Sequence, residues 1–192
     1  MTCEAYKVPV TILLSKIDLQ DAGAVAEFRA VYERAGYRVL EAAALSGEGV
    51  GEVRSLLAGR RTLVSGNSGV GKSTLIRAID PSLDIRTGEI SESHRKGRHT
   101  TTFSTMYPLS EGGAVIDTPG IKGFGLIDID DAELWHYFPE MLRVASRCRF
   151  YNCTHTHEPG CAVVEAVRSG EIALARYESY LKMLDEDDKY RK

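Results

Sequence analysis

The sequence has little net charge, few cysteines and no long apolar run. Its 192 residues carry a formal charge of −3 and are 43% hydrophobic, so the chain can build a core but offers no overall positive charge to nucleic acid. No stretch reaches the roughly 18 consecutive apolar residues that cross a bilayer, and the N-terminus lacks the charged-then-apolar order of a secretory signal. We therefore expect a cytoplasmic protein without membrane contact. We also expect a monomer.

Three of the four cysteines lie close together, which favours a metal site over a disulfide framework in an intracellular chain. The clustered residues are Cys148, Cys153 and Cys161. His155 lies among them as a fourth ligand, and His157 is the competing imidazole. Three thiolates and an imidazole form a closed tetrahedral zinc site with no open position for catalytic water. We therefore expect one structural zinc ion, with three buried free cysteines as the alternative.

Apolar periodicity predicts an α/β region followed by a helical region. The elements predicted before residue 128 are strands 8–14, 37–45, 61–65, 103–109 and 114–116 and helices 22–35, 50–57 and 72–79. The last two strands are expected to be antiparallel neighbours. After Asp130 only helices are predicted, at 132–145 and 171–184, followed by an acidic solvated tail. We therefore predict an α/β domain over residues 1–128 and a small helical domain over 129–192.

A complete phosphate-binding loop stands between a predicted strand and a predicted helix. Residues 66–73 read Gly-Asn-Ser-Gly-Val-Gly-Lys-Ser, the Walker A pattern. Its backbone N–H groups converge on phosphate oxygens, Lys72 reaches the β- and γ-phosphates as a catalytic residue, and Ser73 ligates magnesium. An ordinary glycine-rich turn is the alternative. The predicted nucleotide contacts here are Asn67, Ser68, Gly69, Val70, Gly71, Lys72, Ser73 and Thr74.

Two segments before this loop indicate a guanine base. Ser15-Lys16-Ile17-Asp18 is similar to the Asn/Thr-Lys-x-Asp motif of GTPases, with Ser15 in place of the longer asparagine. Asp18 can accept hydrogen bonds from the ring N–H and the exocyclic amine of guanine, a donor pair that adenine lacks. Lys16 is expected to cover the base with its stem. The backbone N–H of Ala44 is expected to contact the guanine carbonyl, in a loop where Ala43 replaces the usual serine.

Two segments after the loop are expected to complete the catalytic site. Asp117 ends an apolar strand and opens the sequence Asp-Thr-Pro-Gly, in which the aspartate holds magnesium and Gly120 senses the γ-phosphate. A basic, threonine-rich segment stands where the first switch loop belongs. Thr101 is expected to ligate magnesium there, and His99 to orient the attacking water or balance charge. Ile121 occupies the place of the water-orienting glutamine of many GTPases, so the enzyme must position water with another group or hydrolyse GTP slowly.

The order of these motifs is permuted, because the guanine-reading segments precede Walker A. Together with Arg-His-Thr-Thr-Thr at 98–102, Asp-Thr-Pro-Gly at 117–120 and Cys-x4-Cys-x-His-x5-Cys-Ala at 148–162, this order resembles the ribosome small-subunit-dependent GTPases. The resemblance implies an α/β, three-layer P-loop GTPase domain with circularly permuted motif order, plus a small C-terminal helical zinc-binding domain. It also implies His99 as a catalytic candidate and Cys148, Cys153, His155 and Cys161 as the zinc ligands.

The resemblance further implies hydrolysis of GTP to GDP and phosphate with magnesium. The small ribosomal subunit and its rRNA are the implied partners, in late maturation of that subunit. Family members typically carry an N-terminal RNA-binding OB-fold, and this sequence starts only a few residues before its first predicted strand, so we expect that domain to be absent. The alternatives are an ATP-using P-loop enzyme, against which Asp18 argues, and a zinc-stabilised rRNA-binding module with vestigial hydrolysis, against which Lys72, Ser73 and Asp117 argue.

Overall fold

The chain divides into two compact units. A computed structural model describes residues 1–67, 69–83, 85, 105–117 and 129–190. One unit comprises Met1–Ile12, Ala26–Val39 and Phe124–Lys192, and the other comprises Leu13–Val25 and Leu40–Gly123. Each unit has its own cluster of buried apolar side chains. The predicted domain boundary at residue 128 lies outside the described residues and stays a prediction.

The first part of the chain alternates strands and helices, as predicted. Its elements are α1 (Thr2–Ala5), β1 (Thr11–Ser15), a 3-10 turn (Ile17–Leu19), α2 (Ala22–Ala35), β2 (Arg38–Ala42), α3 (Val50–Leu57), β3 (Arg61–Val64), α4 (Lys72–Ile79), β4 (Thr105–Pro108) and β5 (Ala114–Asp117). The helices predicted at 22–35, 50–57 and 72–79 are confirmed. Most strands are shorter than predicted; β2, for example, ends at Ala42 because the chain then turns back, with Ala43 bridged to Glu48.

The strand order places two predicted motifs at one edge of a sheet. In the three-stranded sheet β3-β5-β4, β3 and β5 are parallel and β4 and β5 are antiparallel, which confirms the predicted antiparallel pair. Val64, at the end of β3, pairs with Asp117, at the end of β5. The Walker A loop leaves β3 at this edge, where parallel strands present ligand sites. Strands β1 and β2 form a second, two-stranded sheet.

The helix behind the phosphate loop is fixed at its far end by a buried carboxylate. Asp80, only 4% exposed, directly follows α4 and accepts hydrogen bonds from the Ser82 hydroxyl (2.6 Å) and the Ser110 N–H (2.7 Å). The hydrogen bonds from these two serines hold the pKa of Asp80 well below its usual range. Arg54, on α3, also donates to the carbonyl of Ile79 (2.8 Å), one of the orphan acceptors of a helix end.

The last part of the described chain is helical. It contains a 3-10 helix (Asp131–Tyr137), α5 (Pro139–Ala145), α6 (Ala162–Arg168) and α7 (Leu174–Tyr190). The single helix predicted over 132–145 is wrong, because Phe138 is extended and Pro139 has no N–H to continue a helical ladder. Helix α7 runs past its predicted end and includes the acidic run that was expected to be a solvated tail. No helix in the described part of the chain has the length and apolar character needed to span a membrane.

A buried ion pair stands in the core of this helical unit. Arg176 on α7 donates to the Glu140 carboxylate on α5 at 2.7 Å, and the Glu140 side chain is only 3% exposed. The guanidinium carbon also lies 4.9 Å from the Phe138 ring centroid and 5.5 Å from that of Tyr32. Removing either charge would leave its partner buried, which is the costly way to break such a pair.

Candidate functional site

The Walker A loop has the backbone geometry that phosphate binding requires. Gly69 and Gly71 have φ values of 81° and 96°, a region that residues with a Cβ rarely occupy. Helix α4 begins directly after Gly71, so its free N–H groups face the loop. The Lys72 ammonium lies back over the loop and donates to the carbonyls of Gly66 (2.6 Å) and Asn67 (2.9 Å). Ser73 and Thr74 are half-buried in the first turn of α4.

The predicted guanine-reading segment is joined directly to this loop. The Ser15 hydroxyl donates to the Val70 carbonyl at 2.6 Å, and the Lys16 ammonium donates to the Gly69 carbonyl at 2.7 Å. These bonds link residues 55 and 53 positions apart. Lys16 has a left-handed backbone conformation, with φ 59°, and a Cβ on Gly71 would lie 3.4 Å from its side chain. The shorter serine therefore still ties the two loops together.

The base-reading groups themselves are accessible. Asp18 is exposed in the 3-10 turn after β1, and within the described residues its carboxylate makes no hydrogen bond. Ala44 stands at the start of the turn after β2 and is half-buried. The preceding Ala43 is fully buried, and the Ser46 hydroxyl donates to its carbonyl at 3.3 Å. Ser46 thus supplies a hydroxyl to this loop that the alanine lacks, a contribution that sequence reasoning missed.

Asp117 has the character of a cation ligand. Its side chain is 6% exposed, and its Oδ1 atom has no hydrogen-bond partner among the described residues. Burial raises the pKa of Asp117, and the nearby Lys72 ammonium partly offsets that rise. A buried carboxylate without a partner is costly, and a divalent cation compensates it. The residues present at this edge of the sheet therefore fit magnesium.

Several predicted site residues lie outside the described part of the chain. They are Ser68, His99, Thr101, Gly120 and Ile121. Their predicted roles in phosphate binding, magnesium binding and water activation stay predictions.

The four predicted zinc ligands come together in the helical unit. The ligand atoms of Cys148, Cys153, His155 and Cys161 all lie within 4.8 Å of one another. Nδ1 of His155 is 3.6 Å from Sγ of Cys148 and 3.5 Å from Sγ of Cys161. Tetrahedral zinc with its usual bond lengths places sulfur and nitrogen ligands about 3.6 Å apart. His157 is exposed and its ring bonds to Thr156, so it is not part of the cluster.

The chemistry of this donor set also fits a metal ion. Burial raises the pKa of the Cys153 thiol to about 12 and raises that of Cys161, so a cation is needed to hold them as thiolates. Burial lowers the pKa of His155, which keeps the imidazole in its neutral, ligating form. The Ala162 N–H points at Sγ of Cys148, 3.2 Å away, and donates to it. The Cys3His cluster is therefore compatible with a zinc-binding site.

Supporting residues around the cluster could not be recognised from the sequence. The Glu158 carboxylate accepts hydrogen bonds from the Thr154 N–H (2.7 Å) and the Thr154 hydroxyl (2.6 Å). Burial alone would raise the pKa of Glu158, but these hydrogen bonds hold the pKa well below its usual range. The hydroxyl of Tyr177, which periodicity placed in the core, donates to the His155 carbonyl at 2.7 Å. The Trp135 ring meets the His155 ring edge-on, with centroids 4.8 Å apart. The ligand loop is thus held from three sides.

Comparisons with known proteins identify a family for the chain. The RsgA GTPase family matches residues 1–127. The small ribosomal subunit biogenesis GTPase RsgA of Porphyromonas gingivalis is 52% identical over an alignment that covers 99% of this chain and 62% of that protein. The chain therefore spans less than two thirds of the length of this relative.

Two solved structures share the fold. The crystal structure of YjeQ from Thermotoga maritima matches with a TM-score of 0.78 and 36% identity, covering 96% of this chain and 62% of that one. The crystal structure of YloQ, described as a circularly permuted GTPase, matches with a TM-score of 0.70 and 27% identity, covering 95% and 58%. The predicted α/β fold with circularly permuted motif order is confirmed, and the chain belongs to the RsgA GTPase family.

Proposed function

We propose that this chain binds guanine nucleotides and hydrolyses GTP to GDP and phosphate. One observation carries the proposal. The Ser15 and Lys16 side chains donate hydrogen bonds to the carbonyls of Val70 and Gly69, and so hold a guanine-reading loop against a phosphate-binding loop. One nucleotide can therefore reach both loops at once, with its base at the first and its phosphates at the second.

Each loop contributes a different interaction. The N–H groups of the Walker A loop and of the first turn of α4 bind phosphate oxygens, and Lys72 moves from the loop carbonyls to the β- and γ-phosphates. Ser73 and Asp117 would hold magnesium, which would neutralise the charge that develops on the phosphates. Asp18 reads the guanine donors, and the Ala44 N–H contacts the guanine carbonyl.

Hydrolysis itself depends on residues outside the described part of the chain. Thr101 completes the magnesium ligands, Gly120 senses the γ-phosphate, and His99 orients the attacking water. Because Ile121 offers no hydrogen bond to that water, intrinsic turnover is slow and an outside partner accelerates it.

We assign the small ribosomal subunit as that partner. Support comes from a relative that is 52% identical and is named a small ribosomal subunit biogenesis GTPase. The protein would act as a monomer in the cytoplasm, in late maturation of that subunit, with rRNA as part of the contact. The Cys3His cluster binds one zinc ion as a structural element, because its four ligands leave no open position.

Base specificity tests the proposal. In Asp18→Asn an amide replaces the carboxylate, so one of its two acceptor positions becomes a donor. Guanine presents two donors there, whereas xanthine presents a donor and an acceptor. We expect weaker GDP binding and stronger XDP binding by the variant, measured by competition with a fluorescent nucleotide.

Asp21→Asn is the matched control. Asp21 is exposed, as Asp18 is, but it caps α2 by accepting from the Ala24 N–H at 3.0 Å. Asparagine retains that cap, so binding should not change. Wild-type protein that binds ADP as well as GDP would refute guanine specificity, and unchanged specificity in Asp18→Asn would refute the role of Asp18.

A further inference from the structure

An exposed aromatic loop lies between two of the clustered cysteines. Its four residues, Arg149–Asn152, are all exposed; the Tyr151 side chain is 100% exposed and that of Phe150 is 39% exposed. Neither ring is among the proposed nucleotide contacts, and neither belongs to the buried apolar cluster of the unit that holds them. The two neighbouring rings are therefore open to contact by a partner.

The aromatic loop is held in place from both ends and across its base. Cys148 and Cys153, which flank it, belong to the Cys3His cluster. The Arg149 N–H donates to the Gly160 carbonyl at 3.2 Å. Gly160 has φ 74°, and a Cβ there would lie 3.2 Å from the Arg149 Cβ, so the chain at Gly160 packs closely against the start of the loop. A loop restrained in this way loses little conformational entropy when it binds a partner.

The loop also carries an uncompensated positive charge. The Arg149 guanidinium lies 5.5 Å from the centroid of the Phe150 ring and makes no ion pair within the described residues. Two neighbouring cations on the same unit are different, because Arg147 pairs with Glu171 and Arg168 pairs with Glu165. Arg149 is therefore available to meet an anionic partner beside the rings.

Aromatic faces beside an arginine suit one kind of ligand. Unpaired nucleotides expose base faces that stack on aromatic rings, and each carries a phosphate that pairs with a guanidinium. Duplex RNA hides its base faces in the stack. We propose that the aromatic loop is a stacking platform for unpaired RNA nucleotides. This proposal rests on the proposed function and deepens it, because it names the form of RNA that the unit with the Cys3His cluster contacts.

Fluorescence anisotropy of a labelled single-stranded oligoribonucleotide tests the platform, with the same sequence in a duplex for comparison. We expect the wild-type chain to prefer the single strand. Tyr151→Ala should raise the Kd for the single strand about tenfold, the effect of losing one base–aromatic stack. Arg149→Gln should reduce the dependence of log K on log salt concentration by about 0.7, the value for one phosphate contact to a single strand. Tyr6→Ala removes another exposed tyrosine, at 73% exposure, and should change neither quantity.

Several results would overturn the proposal. They are no binding of the single strand by the wild-type chain, preference for the duplex, unchanged affinity in Tyr151→Ala, or an equal loss in Tyr6→Ala. A Tyr151→Ala loss of affinity for small ribosomal subunits, with single-strand affinity unchanged, would refute the platform for unpaired nucleotides and assign the loop to another surface of the subunit, folded rRNA or protein. Zinc content and GDP affinity, measured for each variant, establish that both sites remain intact. A wild-type chain that shows no preference for guanine nucleotides would refute the proposed function without affecting the result of the RNA-binding test.

Discussion

Replacing Ser15 by alanine should weaken nucleotide binding, because this hydroxyl holds the base-reading loop on the phosphate loop. The bond to the Val70 carbonyl is short, 2.6 Å, and half-buried. A neutral hydrogen bond of this kind contributes about 0.5–1.5 kcal/mol. Both loops must grip one nucleotide, so losing this pre-organisation appears as lost affinity. We therefore expect the Kd for GDP to rise about two- to tenfold.

Isothermal titration calorimetry with GDP measures this change. Ser55→Ala is the matched control, because the Ser55 hydroxyl also donates to a carbonyl, that of Gly51 at 2.9 Å, but on the exposed surface of α3. Ser15→Asn introduces the residue usual in this motif and should bind GDP at least as well as the wild type. Unchanged affinity in Ser15→Ala, or an equal loss in Ser55→Ala, would refute the reasoning.

Arg176→Met should lower the free energy of unfolding by about 3–5 kcal/mol because it strands a buried carboxylate, whereas Arg168→Met, at an exposed pair, should change it by less than about 1 kcal/mol. Urea denaturation measures both, and equal effects would contradict the burial argument. Asp80→Asn should lower the Tm at neutral pH. The hydrogen bonds that depress the pKa of Asp80 stabilise the fold above the ordinary carboxyl pKa of about 4, and this contribution is lost as the pH falls further. The difference in Tm between Asp80→Asn and the wild type should therefore shrink from pH 6 to pH 3. A difference that stays constant over this range would contradict the argument. Cys153→Ser should lose bound zinc, whereas Cys3→Ser, which changes an exposed lone cysteine, should retain it. Elemental analysis measures the zinc content of both variants, and equal zinc in both would exclude Cys153 as a ligand.

The position of the candidate nucleotide site in the fold could be predicted because its residues lie in short contiguous motifs. Residues 66–73 specify a loop that few other functions need, and Asp117 follows a short apolar run that is typical of a buried strand. Parallel strands end at the same edge of a sheet, so the meeting of these two segments followed from their place in the pattern. The Cys3His cluster could be predicted for the same reason, since its four ligands are close in sequence.

The contacts that support both sites could not be predicted, because they depend on side chains far apart in sequence. The sequence around Ser15 does not indicate that its hydroxyl reaches the Val70 carbonyl. From the motif alone, Ser15 was only a shorter residue in the place of an asparagine. Tyr177 has the spacing of a core residue, and its hydroxyl bond to the His155 carbonyl appears only once α7 is packed. The break at Pro139 was visible in the sequence, but apolar spacing continued across it and masked the boundary.

GTP hydrolysis in the presence of purified small ribosomal subunits tests the central claim most directly. Phosphate release should be measured for the wild-type chain and for Asp18→Asn, each with and without subunits, with GTP, XTP and ATP as substrates. We predict that subunits stimulate hydrolysis of GTP by the wild type, that Asp18→Asn loses this activity and gains activity with XTP, and that ATP is a poor substrate throughout. Equal hydrolysis of ATP and GTP by the wild type, or a rate with GTP that subunits do not change, would contradict the account.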